Sequence, residues 1–396
     1  MLRIPSSKLA PTLAFFVASG LGTAFSVGAC ATSQNAYLGD EGGVAGEGGV
    51  DADAGPGSDG GDEGGDAGPG GPRIACGPTF CRSDEKCVSN ACTYDCTGTK
   101  VPGDYATITS AVTALAATGA DVTICLGAIQ AGESVSVSDP GAHLKTLKIV
   151  ATAPLQTTLG SVSIGAGFSD VTLVGFGTST SMTVQGAAKV TLRGLKLSTT
   201  SSYALQIRSS STATPSSVIV DACDIGASAT GYGVYVDNSY TSPFNVSITS
   251  SYIHGGTYGI YLAGSNASLG FTILNNTIDK TQYGISLSGA PTVVVSYVNN
   301  IISNSTMVGV TVAMNMTGIT HSNNALFGNT TNYAGSAVEG TNYVKVDCQL
   351  DMSTGVPQTK AGSPCRGVGK SEGAPATDFW NAPRGSKVDL GAVQGP

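Results

Sequence analysis

Hydrophobic and polar positions alternate in short runs along this chain, and from residue 190 to residue 326 the runs repeat. Val190-Thr-Leu-Arg-Gly-Leu-Lys-Leu197 sets apolar residues two apart, then a small or amide pair, then a closing aliphatic. The phrase returns over residues 218–225, 246–253, 271–278, 295–302 and 319–326, its starts 28, 28, 25, 24 and 24 residues apart. Strand-type alternation at such a period, with no helical stripe, predicts a solenoid of short parallel strands.

Read by column, the pattern says more. The closing position holds Leu197, Ile225, Ile253, Ile278, Ile302 and Leu326, a row expected to be buried. The pair before it runs Gly194-Leu195, Ala222-Cys223, Ser250-Ser251, Asn275-Asn276, Asn299-Asn300 and Asn323-Asn324. Asparagine tolerates a left-handed bend and can hydrogen-bond along a stack of itself. A second phrase follows in each coil: Tyr203-Ala-Leu-Gln-Ile207, Tyr232-Gly-Val-Tyr-Val236, Tyr258-Gly-Ile-Tyr-Leu262, Tyr283-Gly-Ile-Ser-Leu287 and Val308-Gly-Val-Thr-Val312. At least two strands per coil, meeting at a fixed bend, are therefore expected, with equivalent residues stacked about 4.8 Å apart.

The Asn-Asn-x-Ile and Tyr-Gly-Ile-x-Leu phrases resemble the repeats of right-handed parallel β-helix proteins, the pectate-lyase-like superfamily. The resemblance covers roughly residues 98–396 and implies an all-β solenoid. That architecture carries lyases, glycosidases, epimerases, tailspikes and adhesins, so it implies a fold and not an activity. Residues 104–120, with Ile108, Val112 and Leu115 at helical spacing, followed by the strand Val122-Thr-Ile-Cys-Leu126, resemble the amino-terminal cap of such proteins. Near the other end, Ala361-Gly-Ser-Pro364, Asn381-Ala-Pro-Arg384 and Val388-Asp-Leu-Gly-Ala392 resemble the closing segment of a choice-of-anchor Q domain, although Val393 and Gln394 stand where that pattern has an acid. Residues 98–345 are thus expected to be the β-helix. Residues 346–396 are expected to be a cap, with Phe379 and Trp380 over the last coil and Arg384 paired with Asp389.

Composition adds a cellular address. Residues 1–29 read as an export signal: Arg3 and Lys8 precede an apolar run, and no acid occurs before Asp40. Val27-Gly-Ala-Cys30 resembles a bacterial lipobox, which would make Cys30 a lipidated residue and the protein a membrane-anchored lipoprotein of the outer membrane or cell surface. Residues 30–75 form an acidic linker, in which residues 39–72 hold nine acids and no base. Such a stretch cannot bury a core and should extend by self-repulsion. With Arg3 and Lys8 set aside, 18 acids face 17 bases elsewhere, so nucleic acid is not an expected partner.

Residues 76–97 hold Cys76, Cys81, Cys87, Cys92 and Cys96, a density that reads as disulfides in an exported chain. Zinc would want a C-x-x-C or a nearby histidine, and neither is there. Cys125 is the natural sixth, with Cys96 as a candidate partner. Cys348 and Cys365 bracket a short loop, and Cys223 is left as a buried thiol.

Chemistry is sparser. Between residues 190 and 326 the acids are Asp221, Asp224, Asp237 and Asp279. The bend between Asp221 and Asp224 should turn them apart, and the acid pairs of the family's glycosidases and the acid-rich cluster of its lyases are missing. An enzyme of polysaccharides would have to use Asp237, His254 and Asp221, with His254 read as a loop residue lacking an acid partner. His321 falls at an inward position beside Ile248 and Ile273. No cofactor or metal site is indicated. The stronger candidate is aromatic: alternation turns Tyr235 and Tyr261 outward in one column with Gln206, and Arg208 and Asp237 outward in the next. Aromatic rings beside amide, guanidinium and carboxylate suit a polysaccharide or cell-envelope glycan. A ladder of tyrosines that only stabilises the sheet is the competing explanation.

Overall fold

The computed structural model describes residues 74–395, apart from 78, 117, 129–131, 139–140, 142–145, 154–156, 186–187, 209–215, 240–242, 265–267, 290–292 and 315. The segment read as an export signal, Cys30 and residues 31–73 of the expected linker lie outside the described residues, while Ile74 and Ala75, at that linker's expected end, already belong to the strand Ile74–Cys76.

The alternating phrases build a parallel β-solenoid with three strands per regular coil. Phe244–Thr249, Tyr252–His254 and Tyr258–Ala263 make one coil, and Leu269–Leu274, Thr277–Asp279 and Tyr283–Ser288 make the next. The first strands of successive coils form a ten-stranded sheet that runs from Thr99–Val101 to Ile319–Ser322. The second and third strands share a fifteen-stranded sheet, joined where the early coils merge them in the long strand Gly177–Gln185. Pairing is parallel and in register. Val190, Val218, Val246, Phe271, Val295 and Ile319 are successive partners. So are Leu197, Ile225, Ile253, Ile278, Ile302 and Leu326. The irregular early coils keep the same register, with Leu147 paired to Val171 and Val171 to Val190.

Alternation points one aliphatic row inward from each strand, and these rows form one continuous core from Val101 to Leu326. Each such side chain withdrawn from water contributes roughly 1.5–3 kcal/mol before the entropy of ordering is set against it. At the bend, the two residues of the pair do different work. The first is left-handed in every copy, at φ of 62° for Gly194, 54° for Ala222, 47° for Ser250, 53° for Asn275, 59° for Asn299 and 50° for Asn323. The second points inward and builds a carboxamide ladder. The Ser251 N–H donates to Asn276 Oδ1, Asn276 N–H to Asn300 Oδ1 and Asn300 N–H to Asn324 Oδ1, each at 2.9 Å. Their amide nitrogens donate to buried carbonyls, as Asn300 Nδ2 does to Ile273 O at 2.9 Å. Buried amides are tolerable here because the neighbouring coils satisfy both ends.

The helix Ile108–Ala116 covers the first coil with Ile108, Ala111 and Val112 buried, and the Ser110 N–H donates to the capping Thr107 Oγ1 at 3.1 Å. Four disulfides join Cys76 to Cys87, Cys81 to Cys92, Cys96 to Cys125 and Cys348 to Cys365. The sulfurs of Cys76, Cys81 and Cys92 lie within 4.8 Å of one another, but all three are spent in these bonds. Cys223 is buried, and desolvation pushes its thiol up to about 12.

Two expectations for the end of the chain are overturned. Phe379 and Trp380 do not cover the last coil: they pack beside Tyr252, Val356 and Val393, and Trp380 O accepts the Ser83 N–H at 3.0 Å. The segment beyond Cys348 returns along the outside of the solenoid as a strap, held by the first residues of the bend pairs. Asn323 Nδ2 donates to Val368 O at 2.9 Å, Asn299 Nδ2 to Lys370 O at 2.7 Å and Asn275 Nδ2 to Asp389 O at 3.0 Å. The open end meets His321, Tyr333 and Tyr343 instead, with His321 stacked on Tyr297 at 4.9 Å and Tyr343 bonded to His321 Nδ1 at 2.8 Å. Because the strap folds back on itself, Arg384 donates to Gly391 O and Ala392 O, and it is Arg366 that meets Asp389, at 3.6 Å.

Candidate functional site

The third strands of four coils present the aromatic face. Tyr203–Arg208, Tyr232–Asp237, Tyr258–Ala263 and Tyr283–Ser288 are paired in register, so that Gln206, Tyr235, Tyr261 and Ser286 share one column. Arg208 and Asp237 share the next and form an ion pair at 3.3 Å, with Ser239 Oγ donating to the same carboxylate. All five residues chosen from alternation are therefore on one outer face, and Val234, Val236, Ile260 and Leu262 are fully buried beneath.

A second column lies beside the first. Tyr203, Tyr232, Tyr258 and Tyr283 open the four strands, with ring centroids 5.4, 5.0 and 4.9 Å apart. Tyr232, Tyr258 and Tyr283 are nearly parallel, at 11° and 16°, while Tyr235 and Tyr261 stack at 5.7 Å and 22°. Cross-column contacts, such as Tyr203 to Tyr235 at 4.8 Å, weld the six rings into one cluster. The glycine after Tyr232, Tyr258 and Tyr283 lets neighbouring coils approach closely at this point: a Cβ at Gly259 would lie 2.7 Å from Gly284 O and 2.7 Å from Ile278 Cγ2. Tyr203, Tyr232, Tyr258 and Tyr283 were legible as the first letter of the repeated phrase, but their position marks them as strand openers and says nothing of ring contact.

The rings remain half-buried, and that sets their chemistry. Partial burial, then the negative charge of neighbours, raises the phenols of Tyr232, Tyr235 and Tyr258, so they stay protonated donors at neutral pH. Parallel rings about 5 Å apart are offset stacks, in which each ring shelters part of the next and leaves its hydroxyl edge to solvent. The face is thus a ridge of phenol edges and hydroxyls bordered by one neutralised ion pair.

The alternative set of Asp237, His254 and Asp221 is not brought together. Asp221 accepts Thr249 Oγ1 at 2.8 Å and lies 4.0 Å from Arg193, and Asp237 belongs to the tyrosine face. His254 lies on a short strand and has an acid partner after all: its Nε2 is 3.0 Å from Asp224 Oδ1. The ring stacks on Tyr252 at 4.5 Å over the space left by Gly226, whose Cβ would lie 2.9 Å from it. Asp224 pairs in register with Tyr252, and His254 reaches it from two residues further on.

A family model described as a right-handed beta helix region matches residues 180–350, which contain the most regular coils. No curated protein matches the chain. Among solved structures, ORF18 of Geobacillus virus E2 is 12% identical with a TM-score of 0.29, covering 63% of this chain and 57% of that one. The A-module of the mannuronan C-5 epimerase AlgE4 of Azotobacter vinelandii is 13% identical with a TM-score of 0.22, covering 63% of this chain and 98% of that one.

Proposed function

We propose that this protein is an exported β-helix module that binds a linear glycan on its tyrosine face and is held at a bacterial membrane or cell surface through lipid on Cys30. The observation that carries the binding reading is the cluster of six tyrosines on one outer sheet face, with protonated hydroxyls and a balanced Arg208–Asp237 pair. Phenol edges offer apolar C–H contact and hydrogen bonds to the same ligand, and the absence of net charge in the pair favours a neutral polymer. The lipobox and the acidic tether of nine carboxylates support display away from a membrane. Retention of the full chain on insoluble polysaccharides is the test. Replacing Tyr235 and Tyr261 by alanine should abolish retention while circular dichroism stays that of a β-solenoid, and unchanged retention would remove the idea. Cys30→Ser should move the protein from the membrane fraction to the soluble one.

One observation favours a second reading, a polysaccharide lyase or glycoside hydrolase. The Asp224–His254 pair holds an imidazole in a fixed orientation, as a general base requires. Product analysis by mass separates the two. Cleavage that vanishes in Asp224→Asn with retention intact would establish the enzyme, and retention without products would leave the binding module.

A further inference from the structure

A cavity of about 290 Å³ lies where three parts of the chain converge: the cysteine-rich segment, the bends of two coils and the strap. Trp380 and Phe80 contribute to its lining, whose charged groups are Asp224, Glu85, Lys196 and Arg82, with Ser353 among its hydroxyls. The parts are fixed against one another. Arg82 stands 4.7 Å over the Phe379 ring and donates to Ala222 O, and Ser83 Oγ donates to Asn381 O at 2.6 Å. Phe80 is 42% exposed, an aromatic ring left in water at a site whose other aromatics are packed.

From this convergence we infer a second ligand site, separate from the tyrosine face, that takes a single neutral sugar ring. Its size stands at the lower limit for small-molecule pockets, which admits one ring and not a polymer strand. The aromatic walls suit the apolar face of a pyranose. Carboxylates accept from vicinal hydroxyls, the Lys196 ammonium donates, and the Ser353 hydroxyl, which gives its proton to Asp351 Oδ2 at 3.0 Å, is left as an acceptor. Charge is balanced, because Lys196 lies 3.9 Å from Asp224 and the positive Arg82 side chain is a Coulombic neighbour of Glu85, so a charged ligand gains nothing over a neutral one. Burial raises the Glu85 carboxyl, which keeps a proton donor within reach as pH falls toward its range. The site does not depend on the tyrosine face.

Trp380 is the chain's one tryptophan, so fluorescence excited at the red edge, where the 14 tyrosines do not absorb, reports on this cavity. The full chain is titrated with the methyl glycosides of glucose, galactose, xylose and N-acetylglucosamine. At least one should give a saturable change, weakened about tenfold or more in Asp224→Asn, where a charge-assisted hydrogen bond is lost. Ser353→Ala, at an exposed loop position where folding is not in question, should also weaken it. The Tyr235→Ala, Tyr261→Ala variant should titrate like the parent, even if it loses polysaccharide retention. No saturable change with any of the four glycosides, or a change undiminished in both Asp224→Asn and Ser353→Ala, would overturn the site.

Discussion

The coils between residues 190 and 326 and the strap beyond Cys348 are both buried against the same solenoid, yet they are held in opposite ways. In the coils each residue meets its own counterpart one turn away, and one choice of side chain is repeated until it becomes a column. In the strap, beyond the three bend-column amides that grip it, contacts are single: Thr377 O accepts Ser250 Oγ, Ala392 N donates to Thr277 Oγ1, and the Cys348–Cys365 bond closes a local loop. Columnar structure spreads its stability over many equivalent neighbours, whereas the strap concentrates it in single bonds.

The largest expected effect tests the column. Asn300→Ala removes the acceptor of the Asn276 N–H and the donor to Ile273 O, all within a fully buried ladder. A loss of about 4 kcal/mol is expected from the unsatisfied groups, read as a lower urea midpoint of the whole solenoid. The contrasting change is Cys348→Ser with Cys365→Ser. Opening a loop of 17 residues should cost about 3 kcal/mol, but locally: hydrogen exchange should rise in the strap and not in the coils. If both variants lower the same global transition, the contrast fails.

This division also decides what could be read from sequence. The Val190 and Leu197 rows, the bend pairs and the outward Tyr235–Tyr261 column were legible because register makes a sequence period a spatial neighbour. The Asp224–His254 contact was not, since it crosses from the first position of one short strand to the third of the next. Nor was the strap: its reversal brings Arg366, not Arg384, to Asp389 through contacts that no period announces. The junction cavity is hidden for the same reason, as its walls come from three stretches with no shared pattern.

Two smaller effects sharpen the comparison. Tyr258→Ala, in the middle of the stacked column, should cost about 1 kcal/mol of stability in a urea melt, with a larger loss of glycan retention. Equal small effects on both would mark the column as structural only. At the open end, burial lowers the His321 pKa below its usual 6.5, while Tyr297 and Tyr343 pack against the ring. The neutral ring is favoured in the folded chain, so its contribution is full above about pH 6.5 and is lost as pH falls through the lowered value. Protection of the Ile319–Ser322 amides, referred to the intrinsic exchange rate at each pH, should therefore fall between pH 7 and 5, and His321→Gln should flatten that dependence.

The cysteine pattern also decides how the molecule would bear a pull. Tension applied ahead of Ile74 meets a covalent bypass from Cys76 to Cys87, another from Cys81 to Cys92, and a third from Cys96 to Cys125. The capping helix and the first strand lie inside the third loop, so the line of force skips them and they cannot be drawn out. Load arrives at Cys125, inside a strand already paired on both sides. Tension arriving there is shared with the strands on either side, which makes the cysteine-rich segment a force-transmitting coupling and leaves the cap behind it slack.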